Sequence, residues 1–88
     1  MNIQQLEYFL DAAKTLNFTR TAEKFYISQS AVTQQIRNLE RELDVALFQR
    51  INRKLYLTDA GEIWVGEARA LIERTKEAIE KVQSVKKG

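Results

Sequence analysis

Apolar positions recur along this chain first at helical spacing, then briefly at strand spacing, then as one long helical stripe. Leu6, Phe9, Leu10, Ala13 and Leu16 fall at steps of three and four and predict a first helix with one buried face. Asn17 and Thr19 both suit an N-cap, so the chain is expected to break there and restart. Phe18, Ala22 and Phe25 give a short second helix its stripe, Ile27 falls in a tight turn, and Ser28 offers another N-cap. A third helix over about residues 29–43 is the clearest: Val32, Ile36, Leu39 and Leu43 lie within about 60° of one another on a wheel of 100° per residue. Ser30, Thr33, Gln34, Arg37 and Arg41 occupy the opposite side, which is polar and has no acid among those five.

After Leu43 the pattern shortens. Leu47-Phe48-Gln49-Arg50 and Leu55-Tyr56-Leu57 are β-prone runs around Ile51-Asn52-Arg53-Lys54, a hairpin with a basic tip. Two such strands are unstable alone and must pack on the helices. Thr58 then caps a last helix, with Asp59 and Glu62 near its positive end. Trp64, Ala68, Leu71, Thr75, Ala78, Val82 and Val85 recur at alternating steps of four and three, the spacing of a coiled-coil seam. Val65, Ile72 and Ile79 widen it. A domain this small leaves part of so long a stripe uncovered, which predicts a partner helix over the distal half, while the Trp64 end packs on the chain's own core. Tyr8, Tyr26 and Tyr56 are expected to pack as amphipathic residues rather than stack on a ligand.

Composition narrows the chemistry. The 88 residues contain no cysteine and no histidine, which removes disulfides, thiolate nucleophiles, most zinc sites and histidine acid–base schemes. The acids sit at spacings expected of solvated helix faces, so the expectation is no enzyme, no metal and no cofactor. No apolar run approaches the ~20 residues of a membrane span, and Met1 to Gln5 lack the layout of a secretory signal. A cytoplasmic, nucleoid-associated location is the expectation. The net charge of +2 arises wholly in residues 28–58, where Arg37, Arg41, Arg50, Arg53 and Lys54 face Glu40, Glu42 and Asp44. That patch suits a polyanion.

Three short helices with a capped turn before the third fit a helix-turn-helix, whose third helix enters the DNA major groove. Gln29 and Gln34 carry amides that pair with adenine, Arg37 suits guanine or phosphate, and Ser30 and Thr33 suit either bases or phosphates. Arg53 and Lys54 at a hairpin tip would meet the backbone or the minor groove. A polar helix face is also common as plain solvated surface; the basic tip and the pairing helix favour DNA. The main rival is a protein-interaction module whose working surface is the long helix.

Ser28-Gln29, Thr33, Ile36, Leu39-Glu40, Leu43, Leu47-Phe48, Arg50, Arg53, Leu57-Thr58 and Ala60-Gly61 stand at the spacing of the LysR-type bacterial transcription regulators. Gln5-Leu6, Tyr8-Phe9, Phe18-Thr19 and Ala22 fit as well, so the chain resembles that family over essentially its whole length. The resemblance implies a mainly α winged helix-turn-helix over 1–58, with three helices and a two-stranded wing. A long linker and dimerisation helix over 59–88 would follow. It implies sequence-specific binding of an inverted-repeat operator in double-stranded DNA by a homodimer. Family contacts fall on Thr19, Gln29, Ser30, Thr33, Gln34 and Arg53, with Arg50 either a second wing contact or a packing residue; Lys54 is added from its place at the hairpin tip and Arg37 from the helical wheel. The dimer interface is expected at Trp64, Ala68, Leu71, Ile72, Thr75, Ala78, Ile79 and Val82. Such regulators normally continue into a larger effector-sensing domain, so the chain resembles an excised DNA-binding region, and a small-molecule effector would act only in a full-length regulator.

Departures from the family pattern shape the expected preference. Ser30 stands where proline is frequent, Gln34 where arginine is frequent, Asp44 where glycine commonly ends the helix, and Thr21 where alanine is frequent. Gln34 in place of arginine is expected to shift preference towards A·T contacts.

Overall fold

A computed structural model describes residues 1–87. Its order is α1 (Ile3–Thr15), α2 (Phe18–Phe25), α3 (Gln29–Leu43), β1 (Phe48–Ile51), β2 (Lys54–Leu57) and α4 (Asp59–Gln83), closed by a 3₁₀ turn at Ser84–Lys87. This is a mainly α winged helix-turn-helix with a long C-terminal helix. Each helix begins on a side-chain cap in extended backbone: Asn2, Asn17, Ser28 and Thr58 accept from the N–H groups of Gln5, Arg20, Ala31 and Gly61. Asn17, rather than Thr19, therefore starts α2.

The first three helices end alike. Leu16, Tyr26 and Asp44 are left-handed, with φ of 54°, 56° and 56°, and their N–H groups return to carbonyls of the last turn. Asp44 thus takes the conformation its place in the family pattern predicts. Leu16, expected on the buried face of α1, lies at this cap and is 38% exposed. The left-handed turn swings it off the stripe, and Ala12, Tyr8 and Gln5 are buried on α1 instead.

Tyr26 is 95% exposed, so it packs on nothing, contrary to the expectation for the tyrosines; Tyr8 does pack, edge-on to Phe25 at 4.9 Å. A left-handed tyrosine with no burial to retain is strained without compensation. Tyr26→Gly is expected to stabilise the chain by roughly 0.5–1 kcal/mol, the left-handed penalty relieved less the extra entropy of glycine. Thermal melts at one fixed concentration check this; a lowered melting temperature would contradict it.

The core joins all the elements. Phe9, Val32, Leu39 and Leu47 are almost fully buried, with Leu6, Ala22, Ile36, Leu55 and Ala68 around them. Phe48 of β1 meets Phe9 of α1 at 5.6 Å and Phe18 of α2 at 5.2 Å, which seats the wing on the helices. Thr21, where the family favours alanine, is fully buried and donates its hydroxyl to Asp11 Oδ2 at 2.7 Å. Asp11 in turn pairs with Lys24 at 3.2 Å. Gln5 is buried as well and ties α1 to α3 by donating to the Gln35 carbonyl and side chain.

The seam on α4 divides. Ala68 has no exposed surface and belongs to the core of its own chain. Trp64, Val65 and Ile72 also pack partly on that core. Leu71, next to Ile72, is 43% exposed, and beyond it Ile79, Val82 and Val85 are 49%, 74% and 78% exposed. The helix outruns its domain: 25 residues at about 1.5 Å each extend past the short helices that support its first turns.

Candidate nucleic-acid interface

The turn from α2 to α3 presents the start of α3 outward, because the buried set Val32, Ile36 and Leu39 rotates the helix against α1 and α2. Ser30, Gln34 and Arg37 are exposed on its outer face, and Thr33 is half-buried. The Ser30 hydroxyl lies 3.1 Å from that of the N-cap Ser28.

The wing is tighter than its sequence pattern suggests. The strands pair antiparallel in the register Phe48–Leu57 to Ile51–Lys54, so only Asn52 and Arg53 form the turn. Both are left-handed, at φ 51° and 68°, the conformation of the tightest hairpin turns. Glycine is the easy residue at the second turn position. Arg53 there gives up backbone ease and places a guanidinium at the tip.

Two adjoining clefts bring the expected residues together. An open cleft of about 670 Å³ is lined by the cap Asn17, Thr19 of α2, Gln29 of α3, and Arg50, Arg53 and Lys54 of the wing. A second, of about 320 Å³, is lined by Thr33, Arg37 and Glu40 of α3 with Gln49 and Arg50 of β1. Arg50 borders both. Ser30 and Gln34 line neither and stand on the open face of α3 beside them. Among the described residues the ion pairs are Met1–Glu42 and Lys24–Asp11, so Arg37, Arg50, Arg53 and Lys54 have no carboxylate partner. Their field is directed at solvent, as an anion-binding surface requires.

Three contributions were not anticipated from sequence. Gln49 borders the second cleft; its place on a short strand carried no signal. Asn38 on α3 accepts from Gln34 Nε2 and from an Arg41 guanidinium N–H, both at 2.9 Å. Glu40, expected only as an acid of the middle stretch and a position shared with the family, accepts from the N–H groups of Leu47 and Phe48 at 2.7 and 3.2 Å and so joins α3 to the wing. No group of three or more metal-ligating side chains occurs among the described residues. Among them no helix is long and apolar enough to cross a membrane.

Comparison with known proteins gives the same picture. The sequence pattern of the family described as bacterial regulatory helix-turn-helix protein, lysR family, matches residues 3–62. The Hca operon transcriptional activator HcaR of Escherichia coli K12 is 44% identical over 78 residues, covering 89% of this chain and 26% of HcaR. The chain thus spans about a quarter of that relative's length. Among solved structures, a CbnR DBD–DNA complex superposes with a TM-score of 0.88 at 30% identity, over 97% of this chain and 98% of that one. Vibrio fischeri DarR in complex with DNA superposes with a TM-score of 0.90 at 29% identity, over 99% of this chain and 30% of DarR.

Proposed function

The chain belongs to the LysR family of bacterial regulatory helix-turn-helix proteins, and from that membership we propose that it binds double-stranded DNA sequence-specifically, as a homodimer, to regulate transcription at the nucleoid. The observation that carries this reading is the convergence of Thr19, Gln29, Arg50, Arg53 and Lys54 on one cleft beside the exposed face of α3, with no carboxylate to neutralise it.

In this reading α3 enters the major groove. Gln34 and Thr33 meet base edges there, Gln29 and Ser30 reach bases or phosphates, and Arg37 lies along the groove wall. Thr19 and Arg50 hold phosphates, and Arg53 and Lys54 bring the wing to the minor groove. Residues 1–58 are the reading unit, and 59–88 link and pair two copies through Leu71, Thr75, Ala78, Ile79 and Val82, with Trp64 and Ile72 at the edge of the contact. Two reading units joined in this way match an inverted repeat. Phosphate contacts make affinity fall steeply with salt.

Selection of duplexes from a random pool tests the reading. Enrichment of an inverted repeat with fixed half-site spacing is expected. A pool that stays random even at low salt would refute it. On the selected site, Gln34→Ala is expected to relax preference at one position per half-site, at about 1–3 kcal/mol of lost discrimination. Arg53→Ala is expected to weaken selected and random duplexes alike and to reduce the salt slope by about one. Competition titrations at several salt concentrations separate the two effects.

A further inference from the structure

Gln34 does not stand free on the outer face of α3. Its Nε2 donates to Asn38 Oδ1 at 2.9 Å, and an Arg41 guanidinium N–H donates to the same oxygen at 2.9 Å. A carbonyl oxygen has two lone pairs, and both are engaged. An amide side chain alone has no preferred direction, since its oxygen and nitrogen ends exchange by a half-turn. A guanidinium only donates, so Arg41 admits one orientation of the Asn38 amide, with the oxygen towards it. That oxygen then admits one orientation of Gln34, with the nitrogen inward and Oε1 outward.

We propose that Asn38 and Arg41 are positioning residues that set which base Gln34 accepts, adenine over guanine, by fixing the direction of its amide. This rests on the placement of Gln34 in the major groove made above. Held in this way, Gln34 offers Oε1 and one remaining N–H. Adenine answers that pair with its N6 donor and N7 acceptor, whereas guanine presents two acceptors, O6 and N7. A freely turning glutamine meets guanine by offering both amide hydrogens; in Gln34 one of them is engaged by Asn38. The half-buried Asn38 acts through Gln34.

The test uses the selected duplex with adenine or guanine at the position whose preference Gln34→Ala relaxes. Wild type is expected to prefer adenine about tenfold. Asn38→Ala, which puts a better helix former on α3, is expected to bring the ratio to about twofold, with adenine binding weakened and guanine binding strengthened. Arg41→Gln, whose amide accepts as well as donates, should move the ratio the same way. Asn38→Asp keeps the acceptor, so its ratio should stay near wild type although the added charge weakens both duplexes. Thermal melts confirm that each variant is folded. An equal loss on both duplexes in Asn38→Ala is what a merely structural role gives, and it would overturn the proposal. A relaxed Gln34→Ala with an unchanged ratio in Asn38→Ala would overturn the positioning role alone. An unaltered preference in Gln34→Ala would overturn the groove placement and the positioning role together.

Discussion

Gly61→Ala is expected to destabilise the chain by about 3 kcal/mol, the upper part of the range for forcing a methyl into filled space. A Cβ built there falls on the Leu47 carbonyl oxygen and within 2.8 Å of a Leu57 methyl. Neither can withdraw cheaply. The Leu47 carbonyl accepts from the Thr58 N–H at 3.0 Å, and the Thr58 hydroxyl donates to the Ala46 carbonyl at 2.6 Å while accepting from Gly61 N–H. The first turn of α4 is thus bonded to the strand entry through the same few atoms that the methyl would displace. Gly66, five residues along the same helix, has nothing within 4 Å of its Cβ position. Gly66→Ala is therefore expected to stabilise by about 1 kcal/mol through helix propensity alone. Melting of the two variants at one protein concentration should move in opposite directions, with Gly61→Ala lower by roughly 15 °C for a chain of this size. A Gly61→Ala protein as stable as wild type would mean that the α4 junction is looser than its bonding indicates.

Glu40→Ala is expected to cost a similar amount, about 3 kcal/mol, because two backbone N–H groups lose a charged acceptor together. The Glu40 carboxylate holds Leu47 and Phe48, and Phe48 carries the wing onto Phe9 and Phe18. The consequence reaches beyond stability, since the same carboxylate sets the distance between the recognition face of α3 and the wing cations. Glu40→Gln keeps one oxygen able to accept and should lose about half as much. Amide hydrogen exchange gives the direct check. The Leu47 and Phe48 amides should lose protection in Glu40→Ala well before those of α1, and equal protection in both proteins would contradict the strut.

Much of this architecture was legible without coordinates, and the legible parts share one property. The limits of α3, the caps Asn17, Ser28 and Thr58, and the basic hairpin tip all depend on residues within a few positions of one another. Periodicity, N-caps and turn residues are local physics, and the chain states them locally. The candidate site residues belong here too. Thr19, Gln29, Arg50 and Arg53 were expected from residue type, spacing and resemblance, although nothing local says that they border one cleft.

What tertiary structure alone decided involves atoms far apart in sequence, or a choice between partners that look alike from one side. The stripe on α4 records that Trp64, Ala68 and Leu71 are apolar, and a stripe does not say what covers it. Only packing against α1 assigned Ala68 to the chain's own core and left Ile79 and Val82 exposed. Leu16 kept the period of α1, but the left-handed cap turned it away. Glu40 and Leu47 stand seven residues apart, and Leu47 and Gly61 fourteen; their contacts exist only once β1 folds back under α3 and α4 starts beside it. The amide chain from Arg41 through Asn38 to Gln34 lies within one helix, yet its direction depends on where each rotamer settles on that surface. Sequence determines which faces prefer burial and where elements start and stop, because those preferences are summed over neighbours. The fold determines which of several adequate partners each face and each polar atom finds, because that depends on distances the chain closes only by folding.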